Sequence, residues 1–283
     1  MINQLKTVIL LGALTGLLLF VGQLVGGASG LTIAFIFAIV MNIGSYWFSD
    51  KIVLKMYRAK QIKELDNPRL YKIVREVVQK ANVPMPKVYI IPNESLNAFA
   101  TGRNPQHAAV AATEGVLSSL NDDELKGVMA HEIAHVRNRD ILISSIAATI
   151  AGVISYVAFM AQWAAIFGGF GGRDSRGGGN IISLIVLAVI TPLIATIIQL
   201  AISRSREYLA DATGAKIIQN SSGLASALEK LEEGAKSHPM RNANRATAHM
   251  FIVSPLRGGS FLKLLSTHPP MKIRIQKLNN MKF

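Results

Sequence analysis

Apolar and polar residues are sorted along this chain into long blocks. No charged residue stands between Lys6 and Asp50. That run is too long for one membrane crossing and is interrupted by "GGASG" at Gly26–Gly30, so the pattern predicts two helices, about Thr7–Val25 and Leu31–Phe48, joined by a tight turn. A second pair of uncharged runs fills 141–172 and 177–203, separated by the Gly-rich "RDSRGGG" at Arg173–Gly179. These predict a third and a fourth span, about Ile141–Phe167 and Ile181–Ile202, the fourth kinked at Pro192. A cleaved signal peptide would be followed by a polar mature region, whereas here a second apolar run follows at once, so a retained hairpin is expected.

Between and after these blocks the pattern changes to that of a folded domain. Leu70, Ile73, Val74, Val77 and Val78 recur at helical spacing. "KVYIIP" (Lys87–Pro92) and "AAVAAT" (Ala108–Thr113) read as short strands, and "NAFATG" (Asn97–Gly102) between them reads as extended, with its Gly at a turn. "NDDELKGVMAHEIAHVRNRD" opens with Asn121 as N-cap and Glu124 three residues on, a capping-box arrangement. The expected organisation is an N-terminal transmembrane hairpin (1–50), a first part of a cytoplasmic domain (51–140), a second transmembrane hairpin (141–203) and the rest of that domain (204–283). The fold class is mainly α with a small β-sheet, α+β.

Charge sharpens the topology. The chain has 30 Lys+Arg against 17 Asp+Glu, and half of its residues are hydrophobic. A basic protein suggests nucleic acid first, but no RNA-binding sheet motif or Cys/His finger spacing is present. A bilayer partner explains the same numbers, because cytoplasmic loops beside spans are rich in Lys and Arg. "KIVLKMYRAKQIK" (51–63) has five basic residues and no acid, which places it and both termini on the cytoplasmic side. The absence of cysteine excludes disulfides, thiolate metal sites and a thiol nucleophile. Any metal must be held by His, Asp or Glu.

Such a site is suggested by "HEIAH". His131 and His135 are i and i+4, so one helix face presents both imidazoles as ligands suited to tetrahedral zinc. Glu132 can serve as general base toward a metal-activated water without itself being a ligand. The third ligand is not a downstream histidine, since Asn138 and Ile141 stand where the "HxxGxxH" pattern needs Gly and His. Glu207, in "SRSREYLADATGAK", lies just past the fourth span as His131 lies just before the third. Antiparallel spans would bring the two together. Glu229, Glu232 and Glu233 are rivals, on what reads as an ordinary charged helix face. Asp211, four residues after Glu207, can accept a hydrogen bond from the other ring N–H of a ligand histidine or form a surface salt bridge.

"HEIAH", "SREYLADATGA", "STHPPMKIRI" and "NAFATG" together resemble the HtpX family of bacterial membrane zinc metalloproteases, over essentially the whole chain. The broader group includes prenyl-protein endopeptidases with a chamber enclosed by seven spans; four candidate spans resemble the smaller quality-control branch. The resemblance implies a zincin-like protease domain on a four-helix transmembrane scaffold. It implies one Zn2+ held by His131, His135 and Glu207, with Glu132 as general base. It further implies an oxyanion partner at His268, a supporting pair of Asp211 and Arg274, and a substrate strand laid along Asn97, Ala98, Phe99 and Ala100. The substrates implied are misfolded or damaged membrane proteins and unfolded polypeptides, cut at the cytoplasmic face of the bacterial inner membrane. His107, His238 and His249 receive no role. A transporter or scaffold would be the competing class, but the four spans lack an intramembrane ionisable residue.

Overall fold

The computed structural model describes residues 2–140, 189–237, 251–253 and 269–283, with scattered positions between 143 and 159. The third span and the start of the fourth lie largely outside the described residues, as do His238, His249 and His268. The chain divides into two compact units, Met1–Ser45 with Ser144–Ile202, and Tyr46–Ile143 with Ser203–Phe283.

In the first unit, helix α1 (Ile2–Met56) is helical throughout by hydrogen bonding, yet it is not a straight rod. Gly27 takes φ +56°, and a Cβ built on Gly22 would lie 3.0 Å from the Leu31 Cα and 3.1 Å from the Ala34 Cβ. Residues nine apart on a straight helix are about 13 Å apart along the axis, so the chain doubles back at Gly27. Left-handed backbone is cheap there because glycine has no Cβ. Among the described residues no helix is long and apolar enough to cross a membrane, the uncharged run within α1 being described only in part.

The second unit holds a four-stranded sheet in the order β1-β2-β4-β3. Its strands are β1 (Lys60–Gln61), β2 (Lys87–Ile91), β3 (Ala98–Gly102) and β4 (Ala108–Thr113). β2 and β4 are parallel, and the outer pairs are antiparallel. β1 is a two-residue pairing inside the basic stretch after α1, where the sequence shows no apolar alternation. One face of the sheet packs on α2 (Pro68–Ala81), α4 (Asp122–Asn138) and α6 (Ser222–Ser237), through Leu70, Val74, Val110, Val128 and Leu228. The other face carries Phe99, edge-on to Phe251 at 5.2 Å, with Tyr57 and Val53 from the end of α1 and the loop after it. Apolar area buried on both faces, at roughly 25 cal/mol per Å², is what holds so short a sheet.

Two further helices complete the unit: the short α3 (Glu114–Ser119), started by the Thr113 cap, and α7 (Met271–Asn279) near the C-terminus. The long helix α5 (Thr191–Ile218) contributes its residues from Ser203 onward to this unit. Pro192 is the second residue of α5 and follows a π-helical turn at Val189–Ile190, a local adjustment that accommodates a missing N–H. α4 begins at the predicted capping box, both halves of which form. It ends at Arg139, whose left-handed φ of 56° turns the chain sharply.

Candidate metal centre

Helix α4 presents His131 and His135 on one face, and α5 crosses it closely enough to bring in Glu207. The close approach depends on Gly214: a Cβ there would stand 2.9 Å from the backbone of Ala130 and His131. His131 Nε2 and His135 Nε2 lie 3.1 Å apart. Glu207 places Oε1 3.4 Å from His135 Nε2 and Oε2 3.7 Å from His131 Nε2. One ligand atom from each of the three residues fits within a 4.8 Å span. The rivals Glu229, Glu232 and Glu233 are not in this cluster.

The donor set fits a cation. Each Nδ1 faces a carboxylate: His131 Nδ1 is 2.9 Å from Asp211 Oδ1, and His135 Nδ1 is 2.9 Å from Asp140 Oδ2. The hydrogen bond to Asp140 favours the Nδ1–H form of His135, and Asp211 stands beside His131 Nδ1 as a charged neighbour, so that the two Nε2 atoms face one another beside Glu207. Two Nε2 atoms this close need a proton or a metal ion between them. Ligands about 2.0–2.1 Å from a tetrahedral zinc stand about 3.3 Å apart, close to the separations of 3.1, 3.4 and 3.7 Å found here. Burial alone would lower His135, but Asp140 and Glu207 outweigh it and hold the ring well above its usual pKa. His131 is held below its usual value by burial, against the opposing pull of Asp211.

Arg274 supports this array from α7. It is fully buried and donates Nε and Nη2 to the two Asp211 oxygens, each at 2.8 Å. Its Nη1 lies 3.2 Å from Glu207 Oε2 and donates to the Ile252 carbonyl at 3.1 Å. Burial would raise the Asp211 carboxyl, but the guanidinium overrides it and holds Asp211 at about 2.

Glu132, next to the first histidine, is 1 % exposed, and neither of its oxygens has a hydrogen-bond partner among the described residues. Burial pushes its carboxyl up to about 7, opposed by His135 and by the nearby Ala100 amide and reinforced by Glu207. A buried carboxyl poised near neutrality, beside a candidate metal, is suited to accept and return a proton.

The expected substrate strand lies partly against another segment of the chain. Thr113 N donates to Asn97 O, which turns Asn97 toward β4 and points Ala98 outward. That outward edge is already taken by the protein itself: Ile252 N donates to Ala98 O at 3.1 Å. The Asn97 side chain donates to Val253 O at 2.9 Å and accepts from Val253 N at 3.3 Å. Phe99 is packed in the aromatic cluster with Phe251. Ala100 lies with its backbone near Glu132. The apolar stretch 251–253 fills the edge because it covers Phe99 and satisfies the Ala98 carbonyl at once, a pairing that alternation within 97–102 cannot reveal.

Two side chains that no spacing rule indicated also join the site. Asp140 holds His135, and Arg206 clamps Asp140 Oδ1 through Nε and Nη2. The only sequence hint is the "NRD" following the histidine helix.

Fold and site together define a metallopeptidase-like arrangement: a helix with paired histidines, a carboxylate from a second helix and a buried glutamate with no hydrogen-bond partner among the described residues. The comparisons agree. The family model Peptidase family M48 matches residues 64–282, and the chain belongs to that family of metalloproteases. It is 56% identical over 282 residues to a "Protease HtpX homolog" of Syntrophobacter fumaroxidans, covering 99% of both chains. It is 58% identical over 279 residues to another of that name from Syntrophotalea carbinolica, again covering 99% of both. A third, from Pyrococcus furiosus, is 53% identical over 273 residues, 96% of this chain and 94% of the relative. Among solved structures, S. mikatae Ste24p shares the fold, with a TM-score of 0.61 at 20% identity. The match spans 98% of this chain and 65% of that one.

Proposed function

We propose that the protein is an integral-membrane, zinc-dependent endopeptidase that cuts misfolded or damaged membrane proteins and unfolded polypeptides on the cytoplasmic side of the cytoplasmic membrane. The observation that carries this reading is the convergence of His131, His135 and Glu207 around one point, with Glu132 buried and unpaired beside it. Bound zinc would lower the pKa of a water toward 7 and polarise the scissile carbonyl. Glu132 accepts the proton of the attacking water and returns it to the leaving amine. Asp211 and Asp140 keep the ring protons on Nδ1, so both histidines offer Nε2. Arg274 keeps Asp211 ionised. His268, outside the described residues, is the oxyanion partner the resemblance implies, worth a few kcal/mol of barrier.

A membrane setting is supported by exposed apolar side chains. Phe20, Ile33, Phe35 and Ile36 on α1, and Leu193 and Ile197 on α5, are all at least half exposed, a pattern costly in water and suited to lipid. Basic flanks favour a cytoplasmic active site. Nucleic acid is not part of the reading.

The test is Glu132→Gln. Zinc content should match that of the wild type, while cleavage of an unfolded substrate such as casein should fall about 10²–10⁴-fold, the range for loss of general acid–base help. Full peptidase activity with full zinc in that variant would sink the mechanism.

A further inference from the structure

We infer that Asp140 and Arg206 are positioning residues of the metal centre: Asp140 fixes the proton of His135 on Nδ1, and Arg206 ties that carboxylate to the helix carrying Glu207. The inference rests on the zinc reading above. On a continuing helix, residue i+5 lies about 140° around the axis from residue i, well off its face. Asp140 reaches His135 because the helix stops between them. Arg139 takes the left-handed backbone (φ 56°) and swings Asp140 back under the imidazole, to 2.9 Å. The same left-handed backbone occurs at Arg58, Asn82 and Gln219 after other helices; what differs at Arg139 is that the residue after it is carried onto a histidine.

Asp140 and Arg206 are 2 % and 3 % exposed. Arg206 uses Nε and Nη2 on Asp140, and Nη2 also donates to the Asn138 carbonyl at 3.0 Å. One guanidinium therefore grips both the last turn of α4 and the reversal after it. The next residue on α5 is Glu207, so this grip fixes the register between the histidine helix and the carboxylate helix. A buried ion pair kept for stability alone would gain nothing from a direct contact with a ligand histidine, and such pairs are poor stabilisers in themselves.

The test uses the full-length protein in detergent, stripped of metal and titrated with Zn2+ against a chromophoric chelator, with Co2+ absorption as a second readout. Asp140→Asn should bind zinc about 10–100-fold more weakly, the range for loss of a carboxylate behind a ligand histidine, and its Co2+ spectrum should shift. Arg206→Gln should weaken binding in the same direction. The double variant, which leaves no unpaired buried charge, should be no weaker than the worse single one. Asp122→Asn, at an exposed surface pair, should bind as wild type. Zinc binding within twofold of wild type and an unchanged Co2+ spectrum in Asp140→Asn, or in the double variant should the single one not fold, overturn the inference. His131→Ala and Glu207→Ala separate the two levels. If they keep wild-type zinc affinity, the zinc reading itself fails; if they lose it while Asp140→Asn does not, only the positioning role fails.

Discussion

The two histidines of α4 are held by the same chemistry reached along different routes. His131 is fully buried and meets Asp211 from α5, which is gripped by Arg274 from α7. Three helices far apart in sequence converge on one ring, and Arg274 also reaches Glu207. His135, whose side chain is 15 % exposed, meets Asp140 only five residues away, through the reversal at Arg139. Its clamp, Arg206, touches α4 and not Glu207 directly. A ring nitrogen needs a fixed acceptor behind it. The fold supplies one acceptor by long-range packing and the other by ending a helix. The first arm shares its cation with the third candidate ligand, and the second arm stands alone.

The largest expected effect joins both arms. Glu207→Ala removes the carboxylate common to them, so zinc content and peptidase activity should both be lost. Full zinc occupancy in that variant would show that the arms do not serve one metal. Next comes the contrast between the cations. Arg274→Met leaves the buried Asp211 with only His131 beside it and strips Glu207 of a neighbour, a loss of about 3–5 kcal/mol. Arg206→Met removes the cation from Asp140 alone, which keeps its bond to His135, and should cost less, by chemical denaturation of the metal-free protein. Equal losses would break the distinction between a shared and a separate arm.

Acidity separates the arms at the next scale. Asp211 falls from 3.8 to about 2 on folding, so its contribution, about 2–3 kcal/mol, is present above pH 4 and lost as pH falls toward 2. His135 is raised well above 6.5. In the metal-free protein its contribution is full below the unfolded value and lost as pH rises through the folded one. Stability against pH should therefore flatten on the acid side in Asp211→Asn and on the alkaline side in Asp140→Asn. The reverse assignment would contradict both arms. A smaller effect tests the helix crossing they share. Gly214→Ala puts a methyl against the backbone at Ala130 and His131, and relieving that overlap should cost about 1–3 kcal/mol. Zinc affinity should fall with it, although no ligand is altered; unchanged affinity would mean the crossing does not set the distance from Glu207 to the histidines.

Much of this centre is legible in the linear chain because its parts obey local spacing rules. His131 and His135 share a face at i and i+4, and the Asn121–Glu124 box marks where that helix begins. Glu207 and Asp211 are likewise four apart on one helix. The strands β2 and β4 follow from short apolar runs bounded by Pro, Asn and Thr. What bonds Asn97 and Ala98 was not legible, because Val253 is 156 residues from Asn97 and Ile252 is similarly remote from Ala98. Asp140 escaped notice for the opposite reason: it is near in sequence but sits at i+5, where helical geometry places it on the wrong face.

The sequence alone determined which residues have the chemistry of a metallopeptidase and which helix faces carry them, since periodicity and capping are local properties of the backbone. Only the tertiary structure decided how those faces meet. The missing Cβ of Gly214 lets α5 approach α4, Arg274 and Arg206 neutralise the carboxylates gathered there, and the left-handed turn at Arg139 sends Asp140 back to His135. Each depends on contacts between segments, and burial makes unpaired charges too costly to be left anywhere but in these positions.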